Sequence, residues 1–367
     1  MQRESVSTKN RLSAFLTAVG LLSVVTEILM PLRATAESHP CAKISFKPMP
    51  SPMQYGDTTR CGAEHPFAKD PTVIRHNGRY LMYYSVCAYD KAHRPRDLGE
   101  KPGGWWGAVA ESSDLVHWKR IGDIEIEGSK FISAAVAPCV KKIDGKIHMF
   151  HQARHQAAEG KKWYYTSKNA LIWHATSEDG IHFKCADTKP AFAPQNKWSI
   201  DRAIDAEFYR VGDRLMLMYA TREKPDAKIQ RLGIAWAPYE SDWALDKWTE
   251  LSIEKPFFEP ELPWEMKCIE APTVVERNGI WYMFYAGAYN HERQQIGVAW
   301  SSDGVNFKRW RDTPVFPHGK PGTWNAWESG HPGLFVDDDG RVYLFYQGKA
   351  TLKGDYQLSC TEVVFED

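Results

Sequence analysis

Five segments of this 367-residue chain repeat one pattern, and that repetition constrains the fold more than any other feature. They are KDPTVIRHNGRYLMYYS from Lys69, VAPCVKKIDGKIHMFHQ from Val136, IDAEFYRVGDRLMLMYA from Ile204, EAPTVVERNGIWYMFYA from Glu270 and GHPGLFVDDDGRVYLFYQ from Gly330. Each joins a short apolar run to an alternating aromatic strand through a glycine-containing turn. Aligned on the proline step, the preceding residues are Asp70, Ala137, Asp205, Ala271 and His331, spaced by 67, 68, 66 and 60 residues. A second landmark follows in four of the units, an IAW-S type strand leading to Trp118, Phe183, Trp248 and Phe307, spaced by 65, 65 and 59. A period of this length maintained five times marks a radial repeat rather than a pair of sandwiches.

Each unit therefore supplies four strands, and little of the chain reads as helix. The expected fold is all-β: a five-bladed β-propeller of four-stranded antiparallel blades, in which each sheet buries its faces against its neighbours. The fifth unit ends at YQLSCTEVVFED without a clear fourth strand, and the early AKISFKPM segment is a candidate to supply it. Residues 37–367 are expected to form this single domain. Residues 1–36 read as a secretory signal: Arg3, Lys9 and Arg11, the apolar run Leu12–Val25, then Ala34-Thr35-Ala36. The expected location is secreted or periplasmic, with no stable membrane insertion after cleavage. Seven cysteines at wide spacings match no zinc or CxxC pattern and leave one or two disulfides open. A formal net charge of zero, with no basic run, excludes nucleic acid as a partner. Fifteen tryptophans suit a β-rich core and also apolar platforms for sugar faces.

In a propeller the inner strands begin around one mouth of the central channel, so their heads converge. Asp70, Asp205, Glu270 and His331 would share one pocket. Taken singly, each has a bland reading. Asp70 caps a turn before proline, Asp205 pairs with Arg202 or Arg222, Glu270 is a rim carboxylate near Lys267, and His331 is a hydrogen-bonded structural histidine. Together they are harder to dismiss, because clustered like charges cost free energy and persist where chemistry or an ion requires them. Two carboxyl groups across a scissile bond are what glycoside hydrolysis uses, one protonated and one ionised. No nucleophile elbow, HExxH, P-loop or dinucleotide fingerprint competes.

The KDP at Asp70, ID at Asp205, EAP at Glu270 and GHP at His331 resemble the inner-strand motifs of family 43 glycoside hydrolases, the arabinanase, β-xylosidase and arabinofuranosidase group related to the invertase and levansucrase families. The resemblance runs from about Phe67 to the end. It implies Asp70 as general base, Glu270 as general acid and Asp205 as the residue that tunes the acid and orients substrate. His331 matches a channel histidine that helps hold a central cation, so a structural calcium is a further implication, with no cofactor required for the reaction. Arg202, Arg222 and Trp106 join His331 as substrate-contacting candidates. The sequence departs from the family where Ala206 follows Asp205, and where Glu-Ala-Pro stands for the commoner Glu-Gly-Pro; the Asn-Asp-Pro-Asn head of the invertases is not matched. The expected partner is an oligosaccharide or polysaccharide of plant or algal origin, cleaved at a pentose-type bond with inversion. A non-catalytic glycan-binding propeller, a hydrolase of agar oligosaccharides and a glycan phosphorylase using Arg60, Arg154, Arg202 and Arg222 are the alternatives.

Overall fold

The computed structural model describes residues 40–59, 63–87, 105–128, 131–155, 170–187, 189–200, 202–224 and 228–366. The signal-like segment 1–36 and Arg60 lie outside them. Most described residues are strand, in the order β1 (Lys43–Pro48), β2 (Lys69–His76), β3 (Arg79–Val86), β4 (Trp106–Ser112), β5 (Lys119–Asp123), β6 (Glu125–Glu127), β7 (Phe131–Ile143), β8 (Lys146–His155), β9 (Leu171–Ser177), β10 (His182–Cys185), β11 (Ile204–Val211), β12 (Arg214–Arg222), β13 (Gln230–Pro238), β14 (Thr249–Glu250), β15 (Ile269–Arg277), β16 (Ile280–Gly287), β17 (Gln295–Ser301), β18 (Lys308–Arg309), β19 (Glu328–Val336), β20 (Val342–Lys349) and β21 (Gln357–Glu366). They form a five-bladed propeller. Blade 1 is β2–β5 and blade 2 is β7–β10, with the short β6 added in parallel to β10. Blades 3 and 4 are β11–β14 and β15–β18.

Blade 5 contains β19, β20 and β21, and its outer strand is β1, paired antiparallel from Lys43↔Glu366 to Pro48↔Thr361. The early segment singled out from the sequence thus closes the ring. The inner strands pack in a circle: β2 on β7, β7 on β11, β11 on β15, β15 on β19 and β19 on β2. The last of these contacts is tight. A Cβ on Gly333 would lie 2.0 Å from the carbonyl oxygen of Pro71.

The hydrophobic core is distributed rather than central. One buried layer lies between each pair of neighbouring blades. Leu81, Tyr83, Ile147 and Met149 fill the gap between blades 1 and 2; Phe150, Phe208 and Leu217 that between 2 and 3; Met216, Met283 and Tyr285 that between 3 and 4. Phe284, Leu344 and Phe365 fill the gap between blades 4 and 5, and Met82, Tyr84 and Phe345 that between 5 and 1. Alternate residues of one strand serve opposite layers, as the period of two requires. Outer turns are held by a repeated Ser-x-Asp device. In blade 2 the Asp179 carboxylate accepts from the backbone N–H groups of Ile181 and His182, at 2.8 and 2.9 Å, and Asp114 and Asp303 do the same in blades 1 and 4. The six described cysteines, Cys41, Cys87, Cys139, Cys185, Cys268 and Cys360, carry no disulfide.

Candidate active site

All five inner strands break their ladder at the same place. The register slips between Lys69 and Thr72, Val136 and Cys139, Ile204 and Glu207, Glu270 and Thr273, and Gly330 and Gly333. At each slip the head residue takes a positive φ: Asp70 55°, Ala137 41°, Asp205 52°, Ala271 49° and His331 42°. None is glycine, so each carries strain of order 1–3 kcal/mol that the surrounding packing must hold. The bulge re-aims these side chains toward the axis and frees their N–H groups. Four of those donors are taken up by a side chain of the preceding blade: Asp70 by Gln347 Oε1, Ala137 by Ser85 Oγ, Asp205 by Gln152 Oε1 and His331 by Gln294 Oε1.

Asp70, Asp205, Glu270 and His331 meet as expected, and all four side chains are buried. His331 stands between two carboxylates, with Nδ1 2.9 Å from Asp70 Oδ1 and Nε2 3.0 Å from Glu270 Oε1. Glu270 also accepts from Gln294 Nε2 at 2.7 Å and from Gln230 Nε2. Lys69 Nζ lies 3.8 Å from Asp70 Oδ1 and over the rings of Trp105 and Tyr356. Asp205 Oδ2 has no hydrogen-bond partner among the described residues.

These surroundings fix the charge states. Burial opposes the imidazolium, but Asp70 and Glu270 on either side raise the His331 pKa well above its usual value. Burial likewise pushes Asp70 and Glu270 up, and both end below their ordinary values. Lys69 and His331 outweigh burial at Asp70; His331, Lys69 and Gln294 outweigh it at Glu270, which falls to about 2. Asp205 moves the other way, to about 7: burial raises it, and the charges of Glu270 and Asp70 add to that against the opposing His331 and Arg202. In the substrate-free site the mutual repulsion of the carboxylates therefore falls on Asp205, not on Glu270, because His331 has already compensated Glu270.

The same atoms bear on a metal. Asp205, Glu270 and His331 bring ligand atoms within 4.8 Å of one another. The set does not fit calcium, which takes about six to eight oxygens. One of these donors is nitrogen, and both His331 nitrogens already face carboxylates.

A cavity of about 220 Å³ opens over the heads, lined by Lys69, Asp70, Trp105, Arg154, Arg202, Asp205, Arg222, Gln230, Glu270, Tyr289, Asn290 and His331 among others. Arg202 and Arg222 are thus in place as expected. Trp106 is not. It opens β4 opposite Val86, and its Nε1 donates to the Ile124 carbonyl at 3.0 Å, in the layer between blades 1 and 2. Its neighbour Trp105 faces the cavity instead, since adjacent residues entering a strand point to opposite faces. Sequence reasoning also missed Gln152, Gln230, Gln294 and Gln347.

A propeller whose inner-strand heads gather ionised and protonated carboxyl groups around a sugar-sized cavity is a scaffold for cleaving glycosidic bonds. The model of glycosyl hydrolases family 43 matches residues 65–363, and the chain belongs to that family of glycoside hydrolases. No curated protein sequence matches it. Among solved structures it is similar to a thermostable family-43 glycoside hydrolase at 19% identity, covering 85% of this chain and 94% of that one with a TM-score of 0.62. It is also similar to an endo-1,4-beta-xylanase from Bacteroides thetaiotaomicron (18% identity, 80% and 89% covered, TM-score 0.56) and to an alpha-L-arabinofuranosidase from Lactobacillus brevis (18%, 80% and 91%, 0.54). At these identities the likeness concerns the fold.

Proposed function

We propose that this glycoside hydrolase acts outside the cytoplasm on a pentose-type or related bond of a plant or algal glycan, by single displacement with inversion. Asp70 is the general base, Glu270 delivers the proton to the leaving oxygen, and Asp205 and His331 are the proton stores that serve Glu270. The observation that carries this reading is the His331 ring standing between Asp70 and Glu270. The two carboxylates thus lie on either side of an imidazole rather than against each other, an arrangement that favours the wider spacing of roughly 6.5–9.5 Å that leaves room for an attacking water over the about 5–5.5 Å of a double displacement. Asp70 stays ionised to low pH, as a base must. Glu270 is ionised in the free site, so its proton comes from a neighbour: His331 Nε2 is 3.0 Å away, and Asp205 holds a proton up to about 7. Trp105 and Tyr289 on the cavity wall supply apolar faces for a sugar ring.

The test is proton NMR of the first sugar released from aryl arabinofuranosides and xylosides, before mutarotation. Inverted product supports the assignment. Product of retained configuration, or transfer to added methanol, makes Asp70 a nucleophile. A requirement for inorganic phosphate would favour the phosphorylase, and binding without turnover the glycan-binding propeller. Export is tested by recovering the chain outside the cytoplasm with a mature terminus near Glu37.

A further inference from the structure

Arg202 is buried to 6% exposure, yet its guanidinium has no carboxylate within ion-pair distance among the described residues, and its Nε has no hydrogen-bond partner. Nη1 donates to the side-chain oxygen of Gln230 at 2.8 Å. The Arg222 Nε donates to that same oxygen at 3.3 Å. Arg222, half-buried beside the Tyr289 ring, likewise has no carboxylate partner among the described residues. Two guanidiniums thus converge on one neutral acceptor at the cavity wall. Buried charges are ordinarily paired, because removing a guanidinium from water without an anion is costly. The strain is visible at Arg202, whose pKa falls to about 10 through burial and the like charge of Arg222. Asp205 and Glu270 offer only longer-range compensation.

We propose that Arg202 and Arg222 form a subsite for an anionic substituent of the sugar bound against Glu270, a carboxylate or a sulfate ester. This rests on the reading of the cavity as a glycoside-binding site and narrows its substrates to acidic or sulfated glycans. A planar carboxylate accepts two parallel hydrogen bonds from a guanidinium fork, and a sulfate accepts from two forks at once. The pair also has a positioning role. With Gln230 Oε1 occupied by both arginines, its amide nitrogen is turned to Glu270 Oε2. An anion taken by the arginines would be felt at Glu270 through a single side chain.

Calorimetric titration tests the subsite without depending on turnover. The probes are galacturonate, glucuronate and glucose 6-sulfate against galactose and glucose, with inorganic phosphate as a separate arm. The wild-type chain should bind at least one anionic sugar about 10–100-fold more tightly than its neutral counterpart, the worth of one or two charge-assisted hydrogen bonds in a buried site. That advantage should shrink with added salt and be lost in Arg222→Gln, a variant checked for folding by its melting temperature and near-ultraviolet circular dichroism. Preference for the uronates or for the sulfate ester identifies which substituent is read. Equal binding of neutral and anionic sugars overturns the subsite while leaving the hydrolase reading intact. Anion-selective binding with no turnover of any glycoside sustains the subsite and removes the proposed reaction. Tight binding of inorganic phosphate with phosphate-dependent turnover overturns the subsite as a substituent reader and makes the anion a co-substrate.

Discussion

Asp205 and Glu207 lie two residues apart on β11, and both are buried, at 6% and 2% exposure. Their surroundings differ completely. Glu207 faces the far end of the channel and is fully engaged: Lys141 Nζ at 2.7 Å, the Cys139 thiol at 3.0 Å and the Val274 N–H at 2.8 Å all point to it. Asp205 faces the cavity over the strand heads, has a bare Oδ2, and shares its space with two other carboxylates. The bulge between Ile204 and Glu207 separates the two environments. Burial does not tell a structural charge from a working one; the supply of partners does. Glu207 ties blades 2, 3 and 4 together, whereas Asp205 is left in a state that a substrate or a proton must relieve.

The sharpest way to break this contrast is at the working end. Glu270→Gln should lower kcat/KM on poor leaving groups by about 10²–10⁴-fold, the usual worth of a positioned acid, and far less on nitrophenyl glycosides. Asp70→Asn should fail on good and poor leaving groups alike. Uniform loss in Glu270→Gln would remove it from the acid role. Next comes the structural end. Glu207→Gln should cost about 2–3 kcal/mol in denaturant unfolding, because Lys141 loses its buried partner, while activity per folded molecule holds. A loss of activity in the folded variant would erase the distinction. Asp205→Asn should do the reverse, raising stability by about 1–2 kcal/mol above pH 7. The folded chain keeps the Asp205 proton up to about 7, while the unfolded chain releases it near pH 4. The folded state therefore binds the extra proton between those values, and wild-type stability falls as pH rises through them. The variant should not show that fall, and the alkaline limb of its activity profile should move down in pH. An unmoved limb would make Asp205 structural. The smallest effect is expected from chelation: EDTA should shift the melting temperature by less than about 1 °C, and a larger drop with lost activity would install a metal that the donor set does not favour.

The repeat was legible because strand alternation and turn glycines survive in single letters, and the convergence of Asp70, Asp205, Glu270 and His331 followed from it. What was not legible is conformational. Nothing in Asp-Pro, Ala-Pro or His-Pro announces a left-handed residue, and the bulge that sets these side chains against one another appears only once the ladder is built. The direction of the Glu270 shift depended on His331 lying 3.0 Å away, a distance no motif encodes. Trp106 was misplaced because a single step along a strand exchanges faces and the strand start was uncertain by one. Two of the glutamines did leave a trace. The second-strand segments end in Ser85, Gln152, Ala220, Ala286 and Gln347, and each of the three polar residues caps the next blade's head. Where Ala286 ends the segment, Gln294 from the following turn takes over.

The pairing of β1 with β21 has a temporal consequence. The blade that carries His331 cannot be finished until residues near 360 have been made and have found a strand that left the ribosome some three hundred residues earlier. Until then the imidazole that stands between Asp70 and Glu270 is not held in place. A partly synthesised chain is thus kept from closing its pocket until the ring is complete. Such distant pairing is slow to form, so the pocket is among the last parts of the molecule to be completed.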